Sequence, residues 1–208
     1  TDYPSNIDFR SEEAARWFYT SKPHSFDENS PLFRWTRQWD GKSAQTMIQN
    51  NLRKMASDSN YRNSVKCQNN TQALSSNPNP FDLTVLQRGY SGKILNLQVQ
   101  LPEQTCTIQR EYTIRKIFEE TSGKALPSAN FVISVQKDAQ NNPSQLTLNG
   151  GGFGHGVGLS QYGAGWLAKK GWQYPQIIQN YYQGVSLGTI PVILSPEKPE
   201  TIQFYGAN

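Results

Sequence analysis

Residues 150–164 read Gly-Gly-Gly-Phe-Gly-His-Gly-Val-Gly-Leu-Ser-Gln-Tyr-Gly-Ala, and this is the most specific pattern in the sequence. Glycine at alternate positions around His155 allows backbone φ angles that other residues rarely adopt, and it lets a ligand come close to the backbone amides. The glycine density then falls, which predicts a helix that is capped by Ser160 and ends near Lys170, before Gly171. We therefore expect His155 in a loop just ahead of a helix N-terminus.

His155 is the candidate functional side chain of this loop. Histidine exchanges protons near neutral pH, and a frame of glycines would leave its ring open to a ligand. The alternative is a ring that bonds the backbone in a purely structural turn, and the residues alone leave both interpretations open. The trio 160–162 (Ser-Gln-Tyr) supplies donors and acceptors suited to sugar hydroxyls and amides. The pair Tyr181-Tyr182 adds rings that can pack against a pyranose face.

This stretch and the segments after it resemble the SpoIID/LytB proteins of the bacterial cell wall. The signature of that family reads roughly G-x-G-x-G-H-G-V-G-[ML]-S-Q-[YW]-G-A, followed by G-x-x-Y and H-Y-Y-x-G. The chain matches it over residues 152–164, 171–174 and 181–184, with Asn180 where many members carry His. An earlier segment, Ser30-Pro31-Leu32-Phe33-Arg34-Trp35-Thr36, resembles the family's S-P-x-[YF]-x-W-T. The resemblance thus covers most of the chain and is strongest towards its C-terminal end.

The resemblance implies an extracytoplasmic bacterial protein whose partners are peptidoglycan glycan strands. Family members are lytic transglycosylases that cleave between N-acetylmuramic acid and N-acetylglucosamine, or, for the LytB type, stimulators of a cell-wall amidase. Neither activity requires a cofactor, and we expect none here. The substrate-binding residues implied by the resemblance are Gly154, His155, Gly156, Ser160, Gln161, Tyr162, Tyr181, Tyr182 and Arg34.

The catalytic glutamate of the family has no clear counterpart in the sequence. In the family it lies in an upstream helix resembling E-A-L-K-A-Q-A-V-A-A-R-T-Y, and it acts as general acid and base while a sugar hydroxyl is the nucleophile. The segment 12–16 (Glu-Glu-Ala-Ala-Arg) is only weakly similar to that helix. It also lies at a different position relative to Ser30-Pro31. Glu12 and Glu13 are better explained as the acidic first turn of a short helix capped by Ser11.

Three interpretations therefore remain open, and the catalytic residues stay unknown. The chain is expected to be the C-terminal part of a longer enzyme, or a catalytically silent module that binds glycan or activates an amidase. The third interpretation is a structural subunit that reuses the fold.

Composition and charge narrow the protein classes. A chain of 208 residues can form one domain, and we expect residues 1–208 to do so. Five Trp, ten Tyr and nine Phe are typical of a folded protein and not of a disordered one. The net charge of +4 is modest and its basic residues are scattered, which argues against nucleic-acid binding. No apolar run reaches transmembrane length.

The two cysteines, Cys67 and Cys106, can form one disulfide or remain two buried thiols. The resemblance to an extracytoplasmic family favours the disulfide. His24 and His155 lie far apart, and neither H-E-x-x-H nor paired C-x-x-C is present, so we expect no metal site.

The patterns along the chain predict an α+β fold of short antiparallel hairpins and packed helices, in which the glycine-rich loop leads into a C-terminal helix pair. Residues 61–80 show little periodicity and are interpreted as an irregular excursion. The predicted helices cover 11–19, 43–56, 113–120, 160–170 and 175–182. The predicted strands cover 33–39, 81–87, 93–100, a segment around 106–108, 131–136, 145–148 and an edge strand at 190–194.

Overall fold

A computed structural model describes residues 7–68, 81–102, 104–120 and 122–188. Within these residues the chain forms five helices and seven strands. The helices are α1 (Glu12–Thr20), α2 (Gly41–Ser57), α3 (Glu111–Ile117), α4 (Gln161–Lys169) and α5 (Tyr174–Tyr181). The strands are β1 (Trp35–Asp40), β2 (Val65–Gln68), β3 (Asp82–Arg88), β4 (Ile94–Leu101), β5 (Gln104–Gln109), β6 (Phe131–Lys137) and β7 (Pro143–Gly150). The predicted α+β class is confirmed, and the predicted edge strand at 190–194 lies outside the described residues.

The strands form two antiparallel sheets, with the orders β1-β7-β6 and β2-β5-β4-β3. The central strand of the first sheet is β7, and its last residue, Gly150, pairs with Trp35 of β1 and Phe131 of β6. The glycine-rich loop starts at the next residue. It therefore leaves the sheet from the middle strand, with a neighbouring strand on each side.

Because Gly150 has no side chain, the Trp35 indole can pack against this end of the sheet. A Cβ atom at Gly150 would lie 2.6 Å from the carbonyl oxygen of Asn130 and would overlap the Trp35 indole, which is buried. The indole Nε1 of Trp35 also donates a hydrogen bond to the carbonyl of Gly152 at 3.2 Å. The sheet thus holds the start of the loop by packing and by a hydrogen bond.

One hydrophobic core joins the two sheets with α2 and α3. On α2 the predicted apolar stripe is confirmed, because Ile48, Leu52 and Met55 are buried and Met47 packs against the core. Each large apolar side chain that is fully buried stabilises the fold by about 1.5 to 3 kcal/mol. Other core members are Leu97, Ile108, Ile114, Ile117, Leu146 and Leu148. The prediction of a single domain over the full length stays a prediction.

Helix starts follow local capping chemistry. Ser11 caps α1 as predicted, by accepting a hydrogen bond from the Ala14 N–H. Helix α2 starts two residues earlier than predicted, because Asp40 is its cap and accepts hydrogen bonds from the N–H and hydroxyl of Ser43 at 2.9 and 2.6 Å. These bonds to Ser43 hold the pKa of Asp40 below its usual range.

Cys67 and Cys106 are joined by a disulfide in this structure. They lie directly opposite each other on β2 and β5, with their Cα atoms 4.0 Å apart. The prediction of an irregular segment at 61–80 was therefore wrong at Val65–Gln68, which forms β2. A strand of four residues gives too short a pattern to be recognised, and its pairing with β5 defines it.

Candidate functional site

Four glycines set the path of the loop after β7. Gly152, Gly154, Gly156 and Gly158 have φ angles of 77°, 86°, 65° and 114°. A residue with a Cβ atom adopts such angles only at a cost in free energy. The alternation of glycine in the sequence is thus a requirement of the loop backbone.

The base of the loop is tied to the body of the protein by backbone hydrogen bonds. The N–H groups of Gly151, Gly152 and Gly154 donate to the carbonyls of Asn130, Leu32 and Pro127 at 2.9, 2.7 and 2.8 Å. The hydroxyl of Ser128 is buried and donates to the carbonyl of Gly151 at 2.8 Å. The first half of the loop is therefore a fixed platform for His155.

His155 is exposed, and one of its two ring nitrogens is engaged. Its Nδ1 accepts a hydrogen bond from the backbone N–H of Val157 at 3.0 Å. In the neutral ring this leaves the proton on Nε2, which has no hydrogen-bond partner among the described residues. The two interpretations of His155 are thus compatible, since one nitrogen stabilises the turn and the other is available to a ligand.

Ser160 and Tyr181 hold α4 against α5. The Ser160 Oγ caps α4 by accepting a hydrogen bond from the Gly163 N–H at 3.1 Å, as the sequence predicted. A Cβ atom at Gly163 would overlap the Tyr181 hydroxyl, so glycine makes this close packing possible. Burial raises the pKa of Tyr181, the Asp27 carboxylate raises it further, and a hydrogen bond with Ser160 acts in the opposite direction.

Tyr182 fixes the last part of the loop. Its hydroxyl oxygen accepts a hydrogen bond from the Leu159 N–H at 3.1 Å, and a Cβ atom at Gly158 would lie 2.9 Å from it. The ring is nevertheless exposed. The hydroxyl of Tyr182 therefore stabilises the loop by a hydrogen bond, while its ring remains open to solvent.

Gln161 and Tyr162 lie in an open cleft of 370 Å³ between α4 and the loop that contains Phe26 and Asp27. Both side chains are exposed. The remaining lining residues are Asn29, Gly165, Trp166 and Lys169. Of the predicted substrate-binding residues, the structure brings these two into the cleft, whereas His155 stands on the loop that leads to α4 and Ser160 is the helix cap between them.

An aromatic pair forms one side of this cleft. Phe26 stacks on Trp166 with ring centroids 5.0 Å apart and an interplanar angle of 24°. The sequence analysis missed both Phe26 and Asp27. They belong to a loop far away in the sequence, and no local signal places them beside α4.

Arg34 lies between the end of α1 and the start of the glycine-rich loop. Its guanidinium donates hydrogen bonds to the carbonyls of Ser21, Phe33 and Phe18 at 2.9, 2.8 and 3.0 Å. A Cβ atom at Gly151 would lie 3.0 Å from its Nη1. These contacts give Arg34 a structural role at the end of α1, and its predicted role in substrate binding stays a prediction.

Large apolar side chains are exposed on the loop itself. Phe153 is 74% exposed and Val157 is 70% exposed. Exposed apolar side chains can contribute to an interaction site when they form part of a larger apolar patch. The sequence analysis did not single out these two residues.

Glu12 is bound to a buried arginine. Its Oε2 accepts a hydrogen bond of 2.7 Å from the Nε of Arg88, whose side chain is 1% exposed. A carboxylate in this ion pair stabilises the packing of α1. This agrees with the structural interpretation of Glu12 and not with a catalytic one.

A larger cavity of 710 Å³ lies elsewhere, beside α2, and is lined in part by Glu119 and Lys54. The Glu119 carboxylate is nearly buried, and the ammonium of Lys116 lies 2.6 Å from it. The hydrogen bond with Glu119 raises the pKa of Lys116. We therefore interpret Glu119 as an ion-paired structural group, and volume alone does not make this cavity the functional site. In the described part of the chain no three His, Cys, Asp or Glu side chains form a cluster that fits a metal ion.

Comparison with known proteins adds to this geometry. Residues 2–158 match a protein family described as a domain of unknown function, DUF8618. The chain belongs to this family. The DUF8618 match ends at Gly158, so it includes the four loop glycines with positive φ but not α4 and α5.

This DUF8618 chain is also similar to proteins with descriptive names. It is 43% identical over 62 residues to stage II sporulation protein D of Bacillus amyloliquefaciens, which is 30% of this chain and 18% of that protein. It is 41% identical over 62 residues to stage II sporulation protein D of Bacillus subtilis, again 30% of this chain and 18% of that protein. It is 44% identical over 55 residues to the amidase enhancer of Bacillus subtilis, which is 26% of this chain and 7% of that protein.

The matched segments span less than a fifth of the length of these relatives. They nevertheless confirm the resemblance predicted from the glycine-rich signature, and the chain contains a SpoIID-like domain. No described helix is both long and apolar enough to cross a membrane.

Proposed function

We propose that this chain is an extracytoplasmic protein of the SpoIID/LytB type that binds and remodels peptidoglycan. The glycine loop and the adjoining cleft form its glycan-binding site. The observation that carries this proposal is the loop geometry, in which an anchored base presents an exposed His155 with Nε2 available at the entrance to α4. The similarity to stage II sporulation protein D and the disulfide between Cys67 and Cys106 support it.

The proposed chemistry is recognition of an amino sugar. The exposed Gln161 amide and Tyr162 hydroxyl donate to and accept from sugar hydroxyls and acetamido groups. The rings of Tyr162 and Trp166 offer apolar faces to the C–H side of a pyranose. Within a lytic transglycosylase, these residues would hold the glycan strand while a carboxylic acid protonates the glycosidic oxygen.

Replacement of His155 by Ala is expected to weaken the binding of a muropeptide by about 1 to 2 kcal/mol, which is the loss of a hydrogen bond in a partly exposed site. His155→Asn tests which ring nitrogen matters. The Asn amide oxygen can accept the Val157 N–H bond in place of Nδ1, but Asn has no group that reaches the position of Nε2. We expect both variants to lose the same affinity in calorimetry. His155→Asn should keep the melting temperature of the wild type, and His155→Ala should melt only slightly earlier because it lacks the bond to Val157.

A matched control for this prediction is Gly156→Val, because the φ angle of 65° at Gly156 is strained for a β-branched residue. This variant should disturb the loop and lower the melting temperature. It therefore shows what a folding defect looks like in the same measurements. A His155→Ala protein that binds normally but melts early would make His155 a structural residue and exclude it from the glycan site.

The chain is expected not to cleave glycan strands by itself. The family's catalytic segment has no clear counterpart, and Glu12 is held by Arg88. Purified sacculi incubated with the chain should therefore release no anhydromuramyl products in mass spectrometry. If such products do appear, Asp27→Asn and Glu12→Gln identify the acid, since Asp27 is the carboxylate that lines the cleft.

Activation of a cell-wall amidase is the second candidate function. It is favoured by the similarity to the amidase enhancer and by the exposure of Phe153 and Val157, which suits contact with a protein better than contact with a sugar. The same sacculi, incubated with a purified cell-wall amidase with and without the chain, distinguish this role from glycan binding alone.

A further inference from the structure

Lys93, in the turn between β3 and β4, is a largely buried lysine that has no counter-charge within the described residues. Lys93 is only 9% exposed. Among residues 7–68, 81–102, 104–120 and 122–188, its side chain has neither a hydrogen bond nor an ion pair. Its Nζ is not among the fully buried atoms that lack a partner, so the ammonium still reaches solvent and can pair with a ligand. The neighbouring buried cation, Arg88, differs in this respect because it is paired with Glu12.

The side chain of Lys93 lies beneath the tip of the glycine loop. A Cβ atom at Gly156 would lie 3.6 Å from the Cε of Lys93 and 3.9 Å from its Nζ. Gly156 directly follows His155 and has no Cβ, so the space between the loop and the ammonium stays open. The cation is thus placed next to the residue that carries the proposed glycan contact.

Asn130 brings an unsatisfied polar atom to the same place. Its Nδ2 would lie 3.3 Å from a Cβ atom at Gly156. The Oδ1 of the same amide is fully buried and has no hydrogen-bond partner within the described chain. Buried polar atoms are nearly always hydrogen-bonded in folded proteins, so an unpaired amide oxygen beside an accessible ammonium is typical of a place where a ligand binds.

We propose that Lys93 and Asn130, beneath Gly156, form a subsite for a carboxylate carried by the bound sugar. The Lys93 ammonium donates a charge-assisted hydrogen bond to the carboxylate, and the Asn130 amide bonds a neighbouring polar group of the ligand. This subsite rests on the proposed function for the identity of the sugar. The carboxylate has two possible sources in peptidoglycan, the lactyl group of muramic acid and the peptide stem attached to it.

The first experiment tests the anion site without any glycan. The isotopically labelled chain is titrated with acetate and with inorganic phosphate while the amide signals of Gly156 and Val157 and the ε-methylene signal of Lys93 are followed by NMR. We expect saturable shifts in the wild type and in Lys93→Arg, which keeps the charge, and none in Lys93→Gln. Lys137→Gln is the matched control, because Lys137 is an exposed lysine at the opposite end of β6.

The second experiment identifies the ligand by calorimetry with three sugars. They are the disaccharide of N-acetylglucosamine and N-acetylmuramic acid, the same disaccharide with its peptide stem, and chitobiose, which has no carboxylate. Lys93→Gln should weaken the binding of a carboxylated ligand about tenfold and leave chitobiose unchanged. A loss confined to the peptide-free disaccharide assigns the lactyl group, and a loss confined to the peptide-bearing one assigns the stem.

The outcomes separate this inference from the proposed function. Anion-dependent shifts at Gly156 without binding of any sugar would keep the subsite and overturn the glycan-binding proposal. Sugar binding that is equally strong in Lys93→Gln and in the wild type would overturn the subsite and keep the proposal. Absence of saturable shifts in the wild type would also overturn the subsite, whether or not Lys93→Gln folds.

Discussion

Arg88→Met is expected to lower the free energy of unfolding by about 3 to 5 kcal/mol. The Arg88 guanidinium connects three parts of the fold that are distant in sequence. It donates to the Glu12 carboxylate of α1 at 2.7 Å, to the Gly92 carbonyl in the turn after β3 at 2.7 Å, and to the Phe131 carbonyl of β6 at 2.9 Å. Met retains the apolar stem but leaves both buried carbonyls without a donor.

This expectation is measured by urea unfolding followed by circular dichroism. Arg37→Met is the matched control, because Arg37 is exposed on β1 and its replacement should change stability by less than about 0.5 kcal/mol. Glu12→Gln should cost about 1 to 2 kcal/mol, since Glu12 is half exposed and Gln preserves one hydrogen bond. Equal stabilities of Arg88→Met and the wild type would show that this network does not hold the sheets together.

Loss of the disulfide between Cys67 and Cys106 is expected to reduce stability by about 3 to 4 kcal/mol. The bridge closes a loop with a sequence separation of 39 residues, and a cross-link of this size restricts the unfolded chain by that amount. It also fastens β2, a strand of four residues, to the edge of the second sheet. The double variant Cys67→Ala/Cys106→Ala measures the effect without a free thiol in the core, where Cys106 is fully buried.

The existence of the bridge is checked by intact mass. Unreduced protein that is unfolded and alkylated should keep its mass, and reduced protein should gain two alkyl groups. Two alkylations without reductant would contradict the bridge. A double Ala variant as stable as the oxidised wild type would contradict its contribution to stability.

The sequence determined the features that depend on residues close together in the chain. Ser11 and Ser160 are helix caps because a hydroxyl can reach a backbone N–H within the next turn, and both were predicted. The glycines from Gly152 to Gly158 were predicted to bend the loop because φ is a property of a single residue. The apolar stripe of α2 and the hairpins of β3–β4 and β6–β7 likewise follow from local periodicity.

The tertiary structure alone decided which distant groups share one place. The sequence gives no reason for Phe26 and Asp27 to line a cleft with Gln161 and Tyr162, or for Lys93 and Asn130 to lie beneath Gly156. It placed Arg34 among the binding residues, whereas the fold directs its guanidinium to three backbone carbonyls. The reason is physical: caps, turns and periodicity act within a few residues, whereas the site and its electrostatics depend on how the two sheets and α4 pack together.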